Sequence, residues 1–386
     1  MGLPSVRAAT LVAPGRYEIR EYPLPEPGPG AVLVRMELSG ICGTDKHTYQ
    51  GYTTQYAGTA TPREIPFPII QGHENVGTIA AIGGSGTYTD FEGVPLAVGD
   101  RVVVGANVVC GHCYYCRRDF PYYYCERMVD YGNNMSAADP PHLFGGWAQY
   151  LYVVPGSFLV RVPDELPSEV AVLTEVMAVA VGLDRAKQFS AFPNEAFLFD
   201  DAVVVFGVGP LGLCFLMKAR MLGAGTIVAV DLSACRLEMA RRLGADHVLN
   251  AAETTVAERL AVVRDLTRGR GADVVVECAG VPQVIPECLD MLRIGGMLVE
   301  AGNFSDLGEV AISPHRHLCS KNVRIIGVGG EERASYGPSM RQLVRYMRHY
   351  PVGEFVTHRY RLGDVDAAVN KAISPDSVKV VIDPWA

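Results

Sequence analysis

Four cysteines crowd into one short loop of the sequence. They fall within sixteen residues, at positions Cys110, Cys113, Cys116 and Cys125. Tetrahedral zinc accepts four thiolate ligands, and such close spacing lets one loop wrap around one ion. Because no coordination position would stay open, the predicted role of this zinc is structural, with His112 as a bystander. The alternative, free thiols in a tyrosine-rich surface loop, would leave oxidisable groups exposed.

A second group of residues with metal-binding chemistry is more dispersed. It occupies two short segments about thirty residues apart and consists of Cys42, Thr44, Asp45, His47, His73 and Glu74. A soft thiolate, an imidazole and a carboxylate together suit a catalytic zinc that keeps one position for substrate. Taken singly, each of these residues has an ordinary structural interpretation, and the sequence alone does not bring the two segments together.

A glycine-rich hexapeptide directly follows an apolar run, residues 202–206, and opens a stretch of helical periodicity, residues 210–222. Its residues are Gly207, Val208, Gly209, Pro210, Leu211 and Gly212. In this context the first glycine permits a tight turn and the second lets the backbone approach a pyrophosphate, while the third allows close packing of helix on strand. The motif therefore predicts a dinucleotide site. A purely structural turn is the alternative.

The nucleotide predicted for this site is NAD. Asp231 stands nineteen residues after Gly212, at the end of the next predicted strand. A carboxylate there accepts hydrogen bonds from a ribose 2′-hydroxyl and repels a 2′-phosphate. Arg236 lies close by in sequence and keeps NADP open as the alternative.

The elements that must position these residues follow two different rhythms. Up to about residue 180, short β-type runs such as residues 32–36 and 101–104 are separated by glycine and proline. From residue 202, β-type runs at 202–206, 226–230, 273–277, 297–300 and 323–326 alternate with helical stretches at 210–222 and 232–243. Such alternation predicts an α/β fold with a parallel sheet covered by helices on both faces. The last thirty residues return to short strands, ending at 379–382.

Composition narrows the functional classes. The chain has 386 residues, of which 49% are hydrophobic and 20% charged, and this length predicts two domains. A net charge of −8 with scattered Lys and Arg argues against a nucleic-acid partner. The longest uncharged apolar run, residues 202–217, is too short and glycine-rich for a membrane span. The N-terminus resembles neither a secretion signal nor a myristoylation site, so a cytoplasmic location is expected.

In these motifs the chain resembles the zinc-dependent medium-chain dehydrogenases, the family of alcohol, sorbitol and threonine dehydrogenases. The resemblance covers essentially the whole chain and rests on residues 40–45, 72–74, 145–150, 207–212 and 379–381 and the four-cysteine loop. It implies a mainly β, GroES-like catalytic domain from residues 1–180 and 340–386, and a Rossmann NAD-binding domain, a doubly wound parallel sheet, at 181–339. It also implies two zinc ions per chain, a small-molecule alcohol or ketone substrate, and a homodimer or homotetramer.

The same resemblance assigns roles to individual residues. Cys42 and His73 would be catalytic zinc ligands, with Glu175 as the third. Glu74 would stand behind the metal as a carboxylate able to replace water or substrate, and Asp45 would orient the ligating imidazole. The hydroxyl of Thr44 would take the substrate proton and pass it through the NAD ribose to His47.

Three features depart from the family pattern. Val176 follows Glu175 where the family commonly has proline, residues 49–66 form an aromatic and threonine-rich insertion, and eight residues separate the last two cysteines of the loop instead of seven. Glu175 favours a secondary alcohol or a polyol. Phe144, Trp147 and the tyrosines at 49–56 indicate either an apolar or cyclic substrate or ordinary core and loop packing. The alternatives are a primary-alcohol or aldehyde enzyme, a zinc-free enone reductase, and a zinc- and nucleotide-binding protein without catalysis.

Overall fold

The computed structural model describes residues 5–84, 88–188 and 195–386. Residues 1–4, which entered the prediction about secretion, lie outside these ranges. The chain divides into two compact units, one formed by Met1–Ala178 with Glu332–Ala386 and the other by Val179–Glu331. The predicted C-terminal boundary of the Rossmann domain lies between residues 339 and 340, whereas the second unit of the structure ends at Glu331. Within the described ranges, no helix combines the length and apolar character needed to cross a membrane.

The N-terminal stretch consists mainly of short strands. They are β1 (Ser5–Ala13), β2 (Arg16–Pro23), β3 (Val32–Gly40), β4 (Thr54–Gln55), β5 (Arg63–Glu64), β6 (Ile69–Ile70), β7 (Asn75–Ile82), β8 (Tyr88–Thr89), β9 (Pro95–Leu96), β10 (Arg101–Val104), β11 (Asn107–Val108), β12 (Val129–Asp130), β13 (Tyr150–Val153) and β14 (Leu159–Arg161). The helices of this stretch are α1 (Gly43–Tyr49), α2 (Ser168–Ala171) and α3 (Thr174–Ala180).

The middle of the chain alternates between helix and strand. Its elements are α4 (Arg185–Gln188), β15 (Ala202–Phe206), α5 (Pro210–Met221), β16 (Thr226–Asp231), α6 (Ala234–Arg242), β17 (His247–Asn250), α7 (Val256–Leu266), β18 (Ala272–Glu277), α8 (Ile285–Met291), β19 (Leu292–Glu300) and β20 (Arg324–Gly327). The C-terminal stretch adds α9 (Tyr336–Tyr346), β21 (Val356–Arg361), α10 (Val365–Ile373) and β22 (Lys379–Asp383). Short 3₁₀ turns include Cys116–Arg118 and Tyr122–Tyr124.

The second unit contains a six-stranded parallel sheet in the order β17-β16-β15-β18-β19-β20. Strand order reverses next to β15, and because βαβ crossovers are right-handed, the helices on the two sides of this point cover opposite faces. All six residues of β18 are buried, as expected for a strand covered on both faces. The predicted α/β fold with a doubly wound Rossmann sheet is confirmed.

The first unit is built around a mostly antiparallel sheet in the order β14-β10-β7-β3-β22-β21, with β13 also paired to β3. A separate sheet has the order β2-β1-β6. The pairing of β22 with β3, Val381 opposite Gly40, joins the C-terminal strand to the strand that leads into Cys42. Trp147 and Phe144 are buried in two core clusters of this unit, so core packing accounts for both aromatic rings.

Candidate functional site

The four cysteines of the loop converge. Their sulfur atoms all lie within 4.8 Å of one another, and none of the four forms a disulfide. The backbone N–H of Cys116 lowers the pKa of Cys113 to about 6, whereas burial raises the pKa of Cys116 to about 12. Four thiolates this close repel one another without a cation between them, so this donor set fits a tetrahedral zinc. The eight-residue spacer folds into two 3₁₀ turns that accommodate its length.

The dispersed group converges in part. Cys42 stands just before α1, and His73 with Glu74 just before β7, so both segments reach the same end of neighbouring strands β3 and β7. The ligand atoms of Cys42, His73 and Glu74 all lie within 4.8 Å of one another. A thiolate, an imidazole and a carboxylate at this separation form a donor set that fits a catalytic zinc.

The imidazole of His73 contacts two side chains through Nδ1. Asp45 Oδ1 lies 3.9 Å away, and the amide Nδ2 of Asn133 is nearer, at 3.4 Å. The other carboxylate oxygen of Asp45 accepts a hydrogen bond from the backbone N–H of Cys42, at 2.8 Å. Because Nδ1 faces these neighbours, Nε2 is the nitrogen left for a metal. Asn133 was missed by the sequence analysis, since no motif or spacing connects it to His73.

One member of this group, Glu74, also forms a buried ion pair. Lys379 Nζ contacts the Glu74 carboxylate and also donates a hydrogen bond to the carbonyl of Ile41, at 3.0 Å. The side chains of Lys379 and Glu74 are only 1% and 0% exposed. A Cβ on Gly40 would lie 1.8 Å from Glu74 Oε2, so this glycine makes room for the pair. The sequence analysis used residue 379 only as part of a strand motif and missed this contact.

The electrostatics of the site favour a bound cation. Burial by itself would lower the pKa of His73, but Asp45 and Cys42 raise it well above its ordinary value. Burial raises the pKa of Asp45. Within the described part of the chain, Thr44 Oγ1, Asp45 Oδ1 and Glu74 Oε1 are buried without a hydrogen-bond partner. Buried acceptors in that state are costly, and a cation or its ligands would satisfy them.

Glu175 lies near this group but not in it. It occupies the first turn of α3 and is buried, and its charge contributes to raising the pKa values of His73 and Lys379. The three ligand atoms that converge are those of Cys42, His73 and Glu74, and the role of Glu175 as third ligand stays a prediction.

The two proton-handling residues are on one helix. Thr44 and His47 lie three residues apart on α1, a spacing that puts them on the same face. Burial, followed by the charge of Lys46, lowers the pKa of His47. The ring of Tyr52, from the insertion, contacts the His47 ring edge-on at 5.7 Å.

The glycine motif of the second unit has the geometry that each glycine requires. Gly207 has a φ of +84°, which strains any other residue, and a Cβ there would lie 2.4 Å from Ala279 N. A Cβ on Gly212 would lie 1.9 Å from the Gly207 carbonyl oxygen. A Cβ on Gly209, the N-cap of α5, would meet no atom within 4 Å. Because no described atom of this unit would clash with a side chain at position 209, a glycine there fits a ligand that approaches the helix N-terminus.

The Asp231 carboxylate is fixed beside this motif. It accepts hydrogen bonds from the backbone N–H groups of Val208 and Ser233, each at 2.8 Å. These bonds join the end of β16 to the glycine loop and to the start of α6. Arg236 lies in the first turn of α6, where its backbone N–H donates to the Ser233 hydroxyl. Pro210 and Leu211 are the first two residues of α5.

Two further carboxylates meet at the carboxyl edge of the same sheet. Glu277 ends β18 and stands opposite Glu300, which ends β19. The Asn303 amide donates to both, at 3.1 Å and 3.0 Å, and Glu277 also accepts the N–H groups of Ala279 and Gly280. Burial and the neighbouring Glu300 raise the pKa of Glu277 to about 8. The sequence analysis missed this pair, for which a glutamate ending an otherwise apolar strand is the available signal.

Comparison with known proteins agrees with this geometry. A family model described as "Alcohol dehydrogenase GroES-like domain" matches residues 28–164, and one described as "Zinc-binding dehydrogenase" matches residues 210–345. The chain is 34% identical over 379 residues to 5-exo-hydroxycamphor dehydrogenase of Pseudomonas putida, covering 98% of each. It is 31% identical to L-threonine 3-dehydrogenase of Pyrococcus horikoshii, covering 89% and 88%. An alcohol dehydrogenase structure from Thermotoga maritima superimposes with a TM-score of 0.87 at 27% identity, covering 98% and 99%.

A GroES-like domain joined to a Rossmann sheet, with relatives of this kind along the whole chain, defines an oxidoreductase that acts on alcohols. The chain belongs to the zinc-dependent medium-chain dehydrogenase family. The predicted family and enzyme class are therefore confirmed.

Proposed function

We propose that this chain oxidises a secondary alcohol, cyclic or polyol in type, with NAD as acceptor, and that each chain holds one catalytic and one structural zinc. The observation that carries the proposal is the convergence of Cys42, His73 and Glu74. A soft thiolate, an imidazole and a carboxylate form the mixed donor set that catalytic zinc uses while keeping a position for substrate.

The catalytic zinc would be held by Cys42, His73 and a carboxylate. Two carboxylates are available, Glu74 and Glu175, and they differ in their surroundings. The Lys379 ammonium pairs with Glu74 and competes with a metal for its charge. We therefore assign Glu175 as the third ligand and Glu74 as the carboxylate that exchanges with water or substrate. The other zinc would be held by the four cysteines of the loop.

The proton of the substrate would leave through α1. The chemistry that the zinc supplies when bound is Lewis-acid polarisation of the alcohol oxygen, and the nicotinamide accepts the hydride. Thr44 Oγ1, buried beside the candidate ligands, would accept the alcohol proton. His47 lies on the same helix face and is partly exposed. Because its pKa is lowered, it is neutral at physiological pH and can take up a proton and release it to solvent.

NAD is favoured over NADP by the position of Asp231. Its carboxylate is held next to the glycine motif by two backbone hydrogen bonds. A fixed negative charge there accepts bonds from ribose hydroxyls and repels a 2′-phosphate. Replacing Asp231 with Asn is expected to narrow the preference for NAD, measured as the ratio of kcat/KM values with NAD and with NADP.

The substrate class rests on similarity. The relative from P. putida, 34% identical over 98% of both chains, is named for a hydroxylated camphor, which is a cyclic alcohol. The insertion also brings Tyr52, 48% exposed, next to His47, so an aromatic ring stands beside the proposed proton path. A primary-alcohol or aldehyde-forming enzyme is the alternative.

Metal analysis together with a substrate panel tests the proposal. The wild-type chain is expected to contain about two zinc ions and to reduce NAD faster with cyclic secondary alcohols and polyols than with primary alcohols. Cys42→Ser should lose the catalytic zinc and the activity. The matched control, Cys235→Ser, alters an exposed free thiol and should keep both. Full activity of Cys42→Ser would refute the assignment, and preference for primary alcohols would favour the alternative.

Glu175→Gln and Glu74→Gln separate the two carboxylates. We expect Glu175→Gln to weaken the catalytic metal, and Glu74→Gln to retain it, in chelator competition. The reverse order would make Glu74 the permanent ligand.

A further inference from the structure

Residues 126–134, here called the bridging segment, connect the four-cysteine loop to the surroundings of His73. The segment begins directly after Cys125, and Met128 packs with Cys113 and Cys125 in the small core of that loop. It then forms β12, which pairs with β11 through Asp130 opposite Asn107. Its first half is therefore positioned by the loop that would hold the structural zinc.

The insertion, residues 49–66, holds the bridging segment from another side. It contains the β4–β5 hairpin, in which Gln55 and Arg63 are opposite each other. The Arg63 guanidinium donates to the carbonyl of Met128 at 2.5 Å and to that of Glu126 at 2.6 Å. Asn134 Nδ2 donates to Gln55 Oε1 at 3.1 Å. These bonds join the hairpin to both ends of the segment.

The far end of the bridging segment contacts the metal-ligand residue. The Asn133 side chain is 8% exposed, and its amide lies 3.4 Å from His73 Nδ1. The preceding residue, Gly132, donates its N–H to the Phe144 carbonyl at 2.7 Å. A Cβ on Gly132 would lie 2.7 Å from the backbone nitrogen of Gly72, so the segment packs backbone to backbone against the residue before His73.

We propose that the bridging segment positions His73 and that Asn133 is the positioning residue through which it acts. This inference rests on the proposed function of Cys42 and His73 as zinc ligands. An imidazole that binds metal through one nitrogen carries a proton on the other, and its orientation depends on the group that accepts that proton. An Asn amide presents either an oxygen or an NH₂ group by turning about its last bond, so Asn133 can supply a second acceptor besides Asp45, whose Oδ1 lies 3.9 Å from the same nitrogen.

The insertion and the four-cysteine loop then both position His73 through the bridging segment. Each is bonded to the bridging segment, and the segment reaches His73 at a single side chain. Loosening either anchor would free the Asn133 amide and the Gly132 backbone together. The proposal therefore makes the affinity of the catalytic metal depend on Arg63, which contacts neither the metal ligands nor the substrate proton path.

The test uses the full-length protein with cobalt in place of the catalytic zinc. The visible bands of cobalt report its coordination, and competition with a chelator gives its affinity. Asn133→Leu and Arg63→Ala are expected to weaken cobalt binding about 10-fold or more, as for other residues that orient a metal ligand. Asn133→Asp keeps an acceptor oxygen and should restore the affinity. The control is Arg118→Ala. Arg118 is an exposed residue of the four-cysteine loop, and its guanidinium stacks on the ring of Tyr114.

Each outcome either supports or overturns the positioning role of Asn133. Weaker cobalt binding in Asn133→Leu and Arg63→Ala, with rescue in Asn133→Asp and wild-type affinity in Arg118→Ala, supports the proposal. Wild-type affinity in both Asn133→Leu and Arg63→Ala overturns it while leaving the zinc ligands intact. If the wild-type protein itself binds no cobalt at Cys42 and His73, the proposed function has failed. Should Arg63→Ala not fold, as judged by circular dichroism, Gln55→Ala replaces it as the milder loss of the same anchor.

Discussion

The carboxylate pair in the Rossmann unit makes the stability of that unit depend on pH. Glu277 ends a fully buried strand, and its pKa of about 8 compares with an ordinary value of 4.5. Burial and the like charge of Glu300 are the largest causes of this rise in pKa, and the N–H groups of Ala279 and Gly280 oppose it. Burial, and after it the charges of nearby groups that include Glu277 and Glu300, raises the pKa of the Cys278 and Cys288 thiols.

The sign follows from the direction of the shift. The pKa of Glu277 is higher in the folded chain than in the unfolded chain, so folding favours the protonated form. Its stabilising contribution is fully present below pH 4.5 and is lost as the pH rises through about 8. One pKa unit corresponds to about 1.4 kcal/mol. As the pH rises from about 5.5 to about 8.5, Glu277 alone should lower the free energy of unfolding of this unit by about 3 kcal/mol.

Glu277→Gln isolates this effect. A glutamine side chain is neutral at every pH, its oxygen can accept the N–H groups of Ala279 and Gly280, and its amide can donate to Glu300. The free energy of unfolding of the wild type, relative to Glu277→Gln, should therefore fall by about 3 kcal/mol over that pH range. The matched control is Glu309→Gln, the same substitution at an exposed residue of the unit.

Hydrogen exchange measured by mass spectrometry is the suitable assay, because both tryptophans, Trp147 and Trp385, belong to the other unit. Protection of the β18 amides, corrected for the intrinsic pH dependence of exchange, gives the opening free energy of this sheet. The reasoning is refuted if wild type and Glu277→Gln differ by the same amount at both ends of the pH range.

Three other substitutions give sharp outcomes. Gly212→Ala would put a methyl group 1.9 Å from the Gly207 carbonyl oxygen and should weaken NAD binding at least about 10-fold by calorimetry, with zinc content unchanged. Glu287→Gln removes the negative charge that pairs with buried Arg259, to which Glu287 is bonded at 2.6 and 2.9 Å. The free energy of unfolding, measured in urea, should fall by about 3–5 kcal/mol. Thr44→Val should lower kcat about 10²-fold, whereas Thr44→Ser keeps it, and equal kcat values would exclude the proton-accepting role.

Elements with a strong local period could be predicted from the sequence. The strands of the parallel sheet are covered on both faces and are therefore continuous apolar runs, which is why β15, β16 and β18 fall where periodicity indicates. Boundaries are less well determined. Helix α6 was predicted from residue 232, but it begins at Ala234 because the Ser233 hydroxyl caps it, which leaves Leu232 exposed.

Contacts between residues distant in sequence could not be predicted in this way. Asn133 reaches His73 because a bridging segment folds back from the four-cysteine loop, and Lys379 reaches Glu74 because β22 pairs with β3. Neither contact has a local pattern. Family resemblance gave Glu175 as a ligand, but which carboxylate comes close to Cys42 and His73 depends on packing that no motif records.

Two of the buried glutamates, Glu74 and Glu277, show how surroundings decide the chemistry of one residue type. Glu74 and Glu277 each flank an apolar strand, and both are fully buried. Leaving water disfavours a carboxylate in both places. At Glu74, Lys379 supplies an opposite charge, and the two side chains form a buried ion pair. At Glu277, the neighbour is Glu300, a like charge, so a proton is retained instead. The sequence contains both glutamates but does not show their spatial neighbours, and those neighbours determine whether a buried glutamate pairs with a cation or retains a proton.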